Sequence, residues 1–161
     1  MTALIRPARP GDEADILRLI HELADYEREP DAVENTVESL RAHLFAEAPR
    51  VFAHVAEQGG RIVGIAVWFF NFSTWTGRHG IYLEDLFVDP QARGAGVAEG
   101  LMRALAAEAE ANDCARMEWS VLDWNELAKR FYRRIGAHHS ETWEPWRLDG
   151  PALTALAALQ D

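Results

Sequence analysis

The stretch 81–102, IYLEDLFVDPQARGAGVAEGLM, limits most sharply what this chain can fold into. Its first half, 81–88, is rich in β-branched, aromatic and aliphatic residues and predicts a strand. Asp89-Pro90 ends that strand, because proline has no N–H to give a sheet ladder. The segment 94–102 opens on glycines and runs into Ala/Leu/Glu-rich sequence, which predicts a helix start. A strand, a glycine-rich turn and a helix in succession leave backbone N–H groups free at a helix N-terminus, where the dipole favours negative charge. Glycines at 94 and 96 let a phosphate approach the main chain without meeting a Cβ. The plain alternative is a tight connection that holds nothing. The G-x-G-x-x-G spacing of dinucleotide folds is not met, since Glu99 follows Ala98 and the next glycine is Gly100. No Gly-Lys-Ser/Thr follows, so nothing is placed to hold a metal-bound triphosphate.

The rest of the chain predicts one α/β domain over residues 1–161. A chain of that length buries roughly 68–70% of its unfolded surface. Residues 4–6 read as a short strand stopped by Pro7. Asp12, with Asp15 three residues on, predicts a helix start of capping-box type. Ile16, Leu19, Ile20 and Leu23 then share one helix face. Thr36 predicts the cap of a second helix carrying Val37, Leu40 and Leu44. Strands at 51–56 and 62–70 are joined through Gly59-Gly60, which supplies the positive φ of a tight hairpin. A loop is expected at 71–80, a helix at 98–111, and a strand at 117–122. Asn125 predicts a cap for a helix bearing Leu127, Phe131 and Ile135 and ended by Gly136. One or two strands are expected in 137–148, then a helix from Pro151. This order predicts a mixed sheet covered by helices.

The formal net charge of −10 argues against a nucleic-acid partner and suits a cationic one. The chain has no apolar run long enough for a membrane span and no secretory leader. Its single cysteine, Cys114, excludes an intrachain disulfide and suits the reducing cytoplasm. A small buried hydrophobe is its expected role. His138-His139 have no partner at metal-ligand spacing, so no metal is expected. Between 22 and 38, seven acids stand against Arg28 alone. They read either as a solvated face or as the acidic lip of a site for a polycation.

The segment Arg93-Gly94-Ala95-Gly96-Val97-Ala98 resembles the acetyl-CoA pyrophosphate loop of the GNAT N-acetyltransferases. A second register, 91–96, also satisfies the bare pattern, and the first is preferred because family members commonly carry Arg-Gly-x-Gly there. Tyr82-Leu83-Glu84-Asp85, Trp124-Asn125 and Phe131-Tyr132-(x)2-Ile135-Gly136-Ala137 are similar to the diamine (spermidine/spermine) acetyltransferase branch. So are Ile5-Arg6-Pro7-Ala8, Asp15-Ile16-Leu17-Arg18-Leu19-Ile20 and Glu22-Leu23-Ala24. Ser73-Thr74-Trp75-(x)-Gly77-Arg78 and Val121-Leu122-Asp123-Trp124-Asn125 resemble the thialysine-acetylating members of that branch. The resemblance covers nearly the whole chain. It implies the GNAT fold, a mixed and mostly antiparallel central sheet with helices on both faces. It also implies acetyl-CoA as co-substrate, a small cationic amine as acceptor, and a homodimer.

Acetyl transfer from a thioester to an amine needs a held cofactor, an amine that loses a proton, and a thiolate that gains one. The resemblance assigns the first to the 93–98 loop, to the backbone of Leu86, Phe87 and Val88 along the pantetheine arm, and to Asn125. It assigns Glu84 as the base and Tyr132 as the acid. A phenol of pKa about 10 suits protonation of a thiolate of pKa about 8.5. The plain readings are a solvent-facing glutamate and a rim tyrosine. Glu84 and Asp85 together are unusual in a hydrophobic strand, and strand alternation lets only one of them look into a site. Tyr26 and Glu27 resemble a pair lining the amine site. Asp85, Glu144 and Trp146 are further candidates for holding an ammonium, through ion pairing and cation–π contact. Two other functions fit the same residues. One is a non-catalytic acyl-CoA-binding regulatory module, which would not need Glu84 and Tyr132. The other is acetylation of protein lysines.

Overall fold

The computed structural model describes residues 2–159. It divides into two compact units, Met1–Trp124 and Asn125–Asp161. In the first unit the elements are β1 (Leu4–Pro7), α1 (Glu13–Tyr26), α2 (Val37–Leu44), β2 (Phe52–Gln58), β3 (Arg61–Ser73) and β4 (Arg78–Val88), then α3 (Val97–Ala111) and β5 (Met117–Glu118). The sheet order is β1-β2-β3-β4-β5. The first four strands run antiparallel, and β5 pairs parallel to β4. The sheet is therefore mixed and mostly antiparallel, as expected.

Strand alternation divides the apolar side chains between two layers. Ala53 and Val55 of β2, Ile65 and Val67 of β3, and Phe87 of β4 form one core with Ile16 and Leu19 of α1 and Leu40 and Leu44 of α2. The opposite face carries α3. There Gly64 is so close to the helix that a Cβ would lie 3.1 Å from Val97 and 3.3 Å from Leu101. No helix among the described residues is long and apolar enough to cross a membrane.

Several boundaries differ from expectation. Pro7 does not stop β1 but is its last paired residue, opposite His54. An edge strand tolerates this, because the missing N–H faces away from the ladder. The expected loop at 71–80 is mostly strand, since β3 runs to Ser73 and β4 starts at Arg78. Only a short turn remains, with Gly77 at φ +66°. Asp12 does precede α1, yet its carboxylate makes no cap bond. It accepts instead from the Arg6 guanidinium at 2.7 Å and the Arg9 N–H at 2.8 Å. Thr36 caps α2 as expected, accepting from the Ser39 N–H at 3.1 Å. Cys114 is half-buried rather than buried, and desolvation raises its thiol pKa.

The second unit contains α4 (Glu126–Arg134) and α5 (Gly150–Ala157). Asn125 caps α4 by accepting from the Ala128 N–H at 3.1 Å. The helix ends in a Schellman motif, with the Ala137 N–H bonded to the Tyr132 carbonyl and the Gly136 N–H to that of Arg133. Gly136 holds the left-handed position at φ +91°. The strands expected in 137–148 do not form among the described residues. The apolar positions of α4 remain shallow, for no residue of that helix is buried and Leu127 is 54% exposed.

Candidate active site

The C-terminal half of β4 carries most of the candidate residues, and one irregularity positions them. Leu83 pairs with Trp68 and Asp85 with Val67, so Glu84 is the extra residue of a β-bulge. The bulge ends strict alternation. Leu83 faces with Trp68 toward α3, whereas Asp85 faces with Val67 toward α1 and α2. Glu84 itself is exposed and Asp85 is half-buried. The two neighbours are thus not simply one in and one out, as plain alternation predicts.

On its other edge β4 pairs with β5 only at Ile81 and Tyr82. Among the described residues no strand pairs with that edge from Leu83 onward, so 83–88 have a ladder on one side alone. This stretch includes Leu86, Phe87 and Val88. A bulge bends a strand and increases its twist, which accounts for the divergence from β5 just beside it. An unpaired strand edge offers amide and carbonyl groups to an extended ligand.

Asp89 ends the strand and accepts from the Gln91 N–H at 3.0 Å, capping the 3-10 turn Pro90–Ala92. The chain then passes through Gly94 at φ +81° and Gly96 at φ +76° into α3. Both are left-handed positions that favour glycine. A Cβ built on either would meet nothing within 4 Å, so the space above the loop is open. No side chain caps α3. Its first helical hydrogen bond runs from the Gly100 N–H to the Gly96 carbonyl, which leaves the N–H groups of Val97, Ala98 and Glu99 without helical partners. Gly94, Ala95 and Gly96 are exposed. Either register of the loop motif includes both glycines. Arg93 turns back onto the scaffold: its Nε donates to the Val88 carbonyl at 3.0 Å, and its guanidinium lies 5.5 Å from the Tyr26 and Phe87 rings.

Tyr26 ends α1, and its ring lies 5.9 Å from that of Trp124. Arg28 stacks over Trp124 at 4.2 Å. The end of α1 is a second Schellman motif, with the Glu29 N–H bonded to the Ala24 carbonyl and the Arg28 N–H to that of Asp25. Here Arg28, not glycine, occupies the left-handed position at φ +67°. Such a residue costs about 1–2 kcal/mol; cation–π contact with Trp124 offsets part of it.

Burial raises the Asp85 pKa to about 6, with further contributions from the charges of Glu84 and Glu27. Desolvation also raises the pKa of Glu27. Glu27, Glu84 and Asp85 therefore share one negative region. Of the seven acids between 22 and 38, Glu27 and Glu22 alone are half-buried, and Glu22 pairs with Arg18 at 2.8 Å. The other five are solvated surface, so the run divides between its two readings.

Asn125, Tyr132, Glu144 and Trp146 belong to the second unit. The Tyr132 ring lies 5.4 Å from that of Phe131. Glu144 is exposed and Trp146 is 90% exposed, which excludes core packing for that indole within this chain. Sequence reasoning missed Arg28, the Tyr26–Trp124 pair and the bulge. The adjacent acids in an otherwise apolar strand were the available signal for the last. Among the described residues no group of three His, Cys, Asp or Glu side chains gathers as a metal site would.

The acetyltransferase (GNAT) family model matches residues 16–137. Thialysine N-epsilon-acetyltransferase of Bos taurus is 40% identical over 165 residues, covering 96% of both chains. Spermidine/spermine N(1)-acetyltransferase-like protein 1 of Homo sapiens is 34% identical over 151 residues, which are 89% of this chain and 22% of that protein. The solved structure of an integron cassette protein from the mobile metagenome of V. cholerae superposes with a TM-score of 0.82 at 28% identity, covering 99% of each chain.

Proposed function

The chain belongs to the GNAT acetyltransferase family and is an N-acetyltransferase, and we propose that it transfers acetyl from acetyl-CoA to a primary amine of a small polycation. Lysine-like compounds are the first candidates, given the thialysine enzymes to which the chain is similar along its length. Diamines and polyamines are the second. The carrying observation is the grouping of Glu27, Glu84 and Asp85 at the bulge, next to an unpaired strand edge.

An alkyl amine of pKa about 10.4 needs about 4.6 kcal/mol to become neutral at pH 7, so a carboxylate that accepts its proton during attack lowers a real barrier. Glu84 takes that role, exposed on the bulge where an amine can reach it. Asp85 and Glu27 hold the substrate's charge. The pyrophosphate sits on the N–H groups that open α3, and the pantetheine arm runs along Leu86, Phe87 and Val88. Asn125 also contacts the cofactor. Tyr132 protonates the departing thiolate. Attack is direct, with no acyl-enzyme. Glu144 and Trp146 add an acid and an aromatic face for a second ammonium. The exposed Trp143, Leu153 and Leu156 of the second unit support a second copy of the chain as their cover, and with it a homodimer.

An amine panel assayed with acetyl-CoA by thiol release tests the reading. Lysine analogues or diamines should exceed monoamines of equal length in kcat/KM by at least about tenfold, about 1.4 kcal/mol. That advantage should shrink in high salt. Equal rates at low salt would sink the polycation reading, and no thiol release with any amine would sink the enzyme.

A further inference from the structure

A second feature lies at the other end of α3 from the glycine loop, where Leu44 and Phe45 at the end of α2 also approach. A cavity of about 390 Å³ opens there, with Phe52, Trp68, Phe70, His54, Glu108 and Asn112 in its wall. Val97 and Glu108 are separated by roughly 16 Å along the helix axis, taking 1.5 Å per residue. The cavity is therefore separate from the glycine loop that opens α3.

Its chemistry can be read from its walls. Phe52 stacks on Trp68 at 4.6 Å, and Phe70 meets both rings edge-on, at 5.6 Å from Phe52 and 5.2 Å from Trp68. These rings form a rigid aromatic wall with two half-exposed members, since Phe52 and Phe70 are partly accessible while Trp68 is 3% exposed. The Trp68 Nε1–H donates to His54 Nδ1 at 3.1 Å. An indole N–H can only donate, so Nδ1 is an acceptor and the ring proton sits on Nε2. A second proton on His54 would break that bond, and burial independently lowers the His54 pKa, against the pull of Glu108. His54 thus stands neutral at physiological pH. Its Nε2 faces Glu108 at 3.7 Å. Among the described residues no arginine or lysine pairs with Glu108. The carboxylate also lies in the last turn of α3, where the helix dipole is negative. Aromatic faces, an uncompensated carboxylate and a helix C-terminus all favour the same guest.

We infer that this cavity is a second ligand site, for a small organic cation with an apolar body, held by the Phe52–Trp68–Phe70 wall and Glu108. An alkylammonium group would place its charge toward Glu108 and its methyl or methylene groups on the rings. A neutral ligand of the same shape would keep the ring contacts and lose the ion pair. The site lies at the far end of the helix whose N-terminus carries the glycine loop, so its occupant need not compete with the cofactor.

Choline and its neutral isostere 3,3-dimethylbutanol provide the test. Choline has no N–H to acetylate, so its binding is read independently of whether the chain turns over any amine. Titration calorimetry should show one saturable choline site, with 3,3-dimethylbutanol at least tenfold weaker. Nuclear Overhauser contacts should connect the choline methyls to the rings of Phe52 and Phe70. Glu108→Gln should remove the preference for choline, while Asn112→Trp, which fills the cavity mouth from an exposed position, should weaken both ligands. The inference is overturned by equal affinity for the two compounds, by no saturation below about 100 mM, or by an unchanged preference in Glu108→Gln. Methyl contacts to Tyr26 and Trp124 instead would assign the cation to the amine site and overturn it equally.

Discussion

The two halves of β4 are built from similar residues and do different work. From Arg78 to Leu83 the strand is a structural member: it pairs with β3 throughout, meets β5 at Ile81 and Tyr82, and buries Ile81 and Leu83. From Glu84 to Val88 it has a ladder on one side only, opens with a bulge and carries two adjacent acids. The first half is held on both edges at Ile81 and Tyr82 and carries no carboxylate. The second half holds a carboxylic acid whose pKa has moved to about 6. This end of the strand thus combines a one-sided ladder with perturbed charge, a combination that supports a site rather than a core.

Substitutions on either side of the bulge should separate the two roles. The largest effect is expected at Glu84. Glu84→Gln should lower kcat by about 10²–10⁴-fold with little loss of stability, because the side chain is exposed. A variant within about threefold of the parent in steady-state assays would remove the proton-accepting role from this residue. Leu83→Ala should do the reverse. Leu83 is 2% exposed, so its truncation should cost about 2–5 kcal/mol in urea unfolding and leave the pH profile of kcat/KM in place. A shifted profile would mean that the two halves are coupled.

A smaller and pH-dependent effect is expected at Asp85. Its folded pKa is raised to about 6, so its favourable contribution is full below the unfolded value near 4 and is lost as pH rises through 6. Asp85→Asn should therefore stabilise the fold above pH 6, on the order of 1–3 kcal/mol. The gain should vanish below about pH 4. Thermal melts across that range provide the check, and a stability difference independent of pH would exclude the buried-acid account.

The sequence made the fold class readable because its signals are local. Hydrophobic periodicity marks α1 through Ile16, Leu19, Ile20 and Leu23, side-chain oxygens of Thr36 and Asn125 cap their helices, and glycines mark the turns at 59–60 and 94–96. The bulge has no such signature. A one-residue register shift depends on the partner strand, so Glu84 and Asp85 were visible as an odd pair but not as residues of different geometry. Asp12 shows the same limit, for a neighbouring guanidinium claimed the oxygen that local rules assign to the helix. Pairing at β5 was overestimated because Met117 and Glu118 alone reach β4 before the strands part. The cation site at His54 and Glu108 joins residues 54 positions apart on two elements, a distance over which periodicity says nothing.

Glu84 is also the one residue of β4 that the ladder does not count. Trp68 and Val67 are consecutive on β3, yet their partners are Leu83 and Asp85. Deleting Glu84 would give a regular strand in which every remaining side chain keeps its present face. Such a chain, 160 residues long against the present 161, should fold at least as firmly, and its straighter β4 should zip to β5 beyond Tyr82. The predicted product is a sturdier protein with its edge closed, detectable as slowed amide exchange at 85–88 and lost affinity for acetyl-CoA. One surplus residue would then be the whole difference between a sheet that is finished and a sheet that is left ajar.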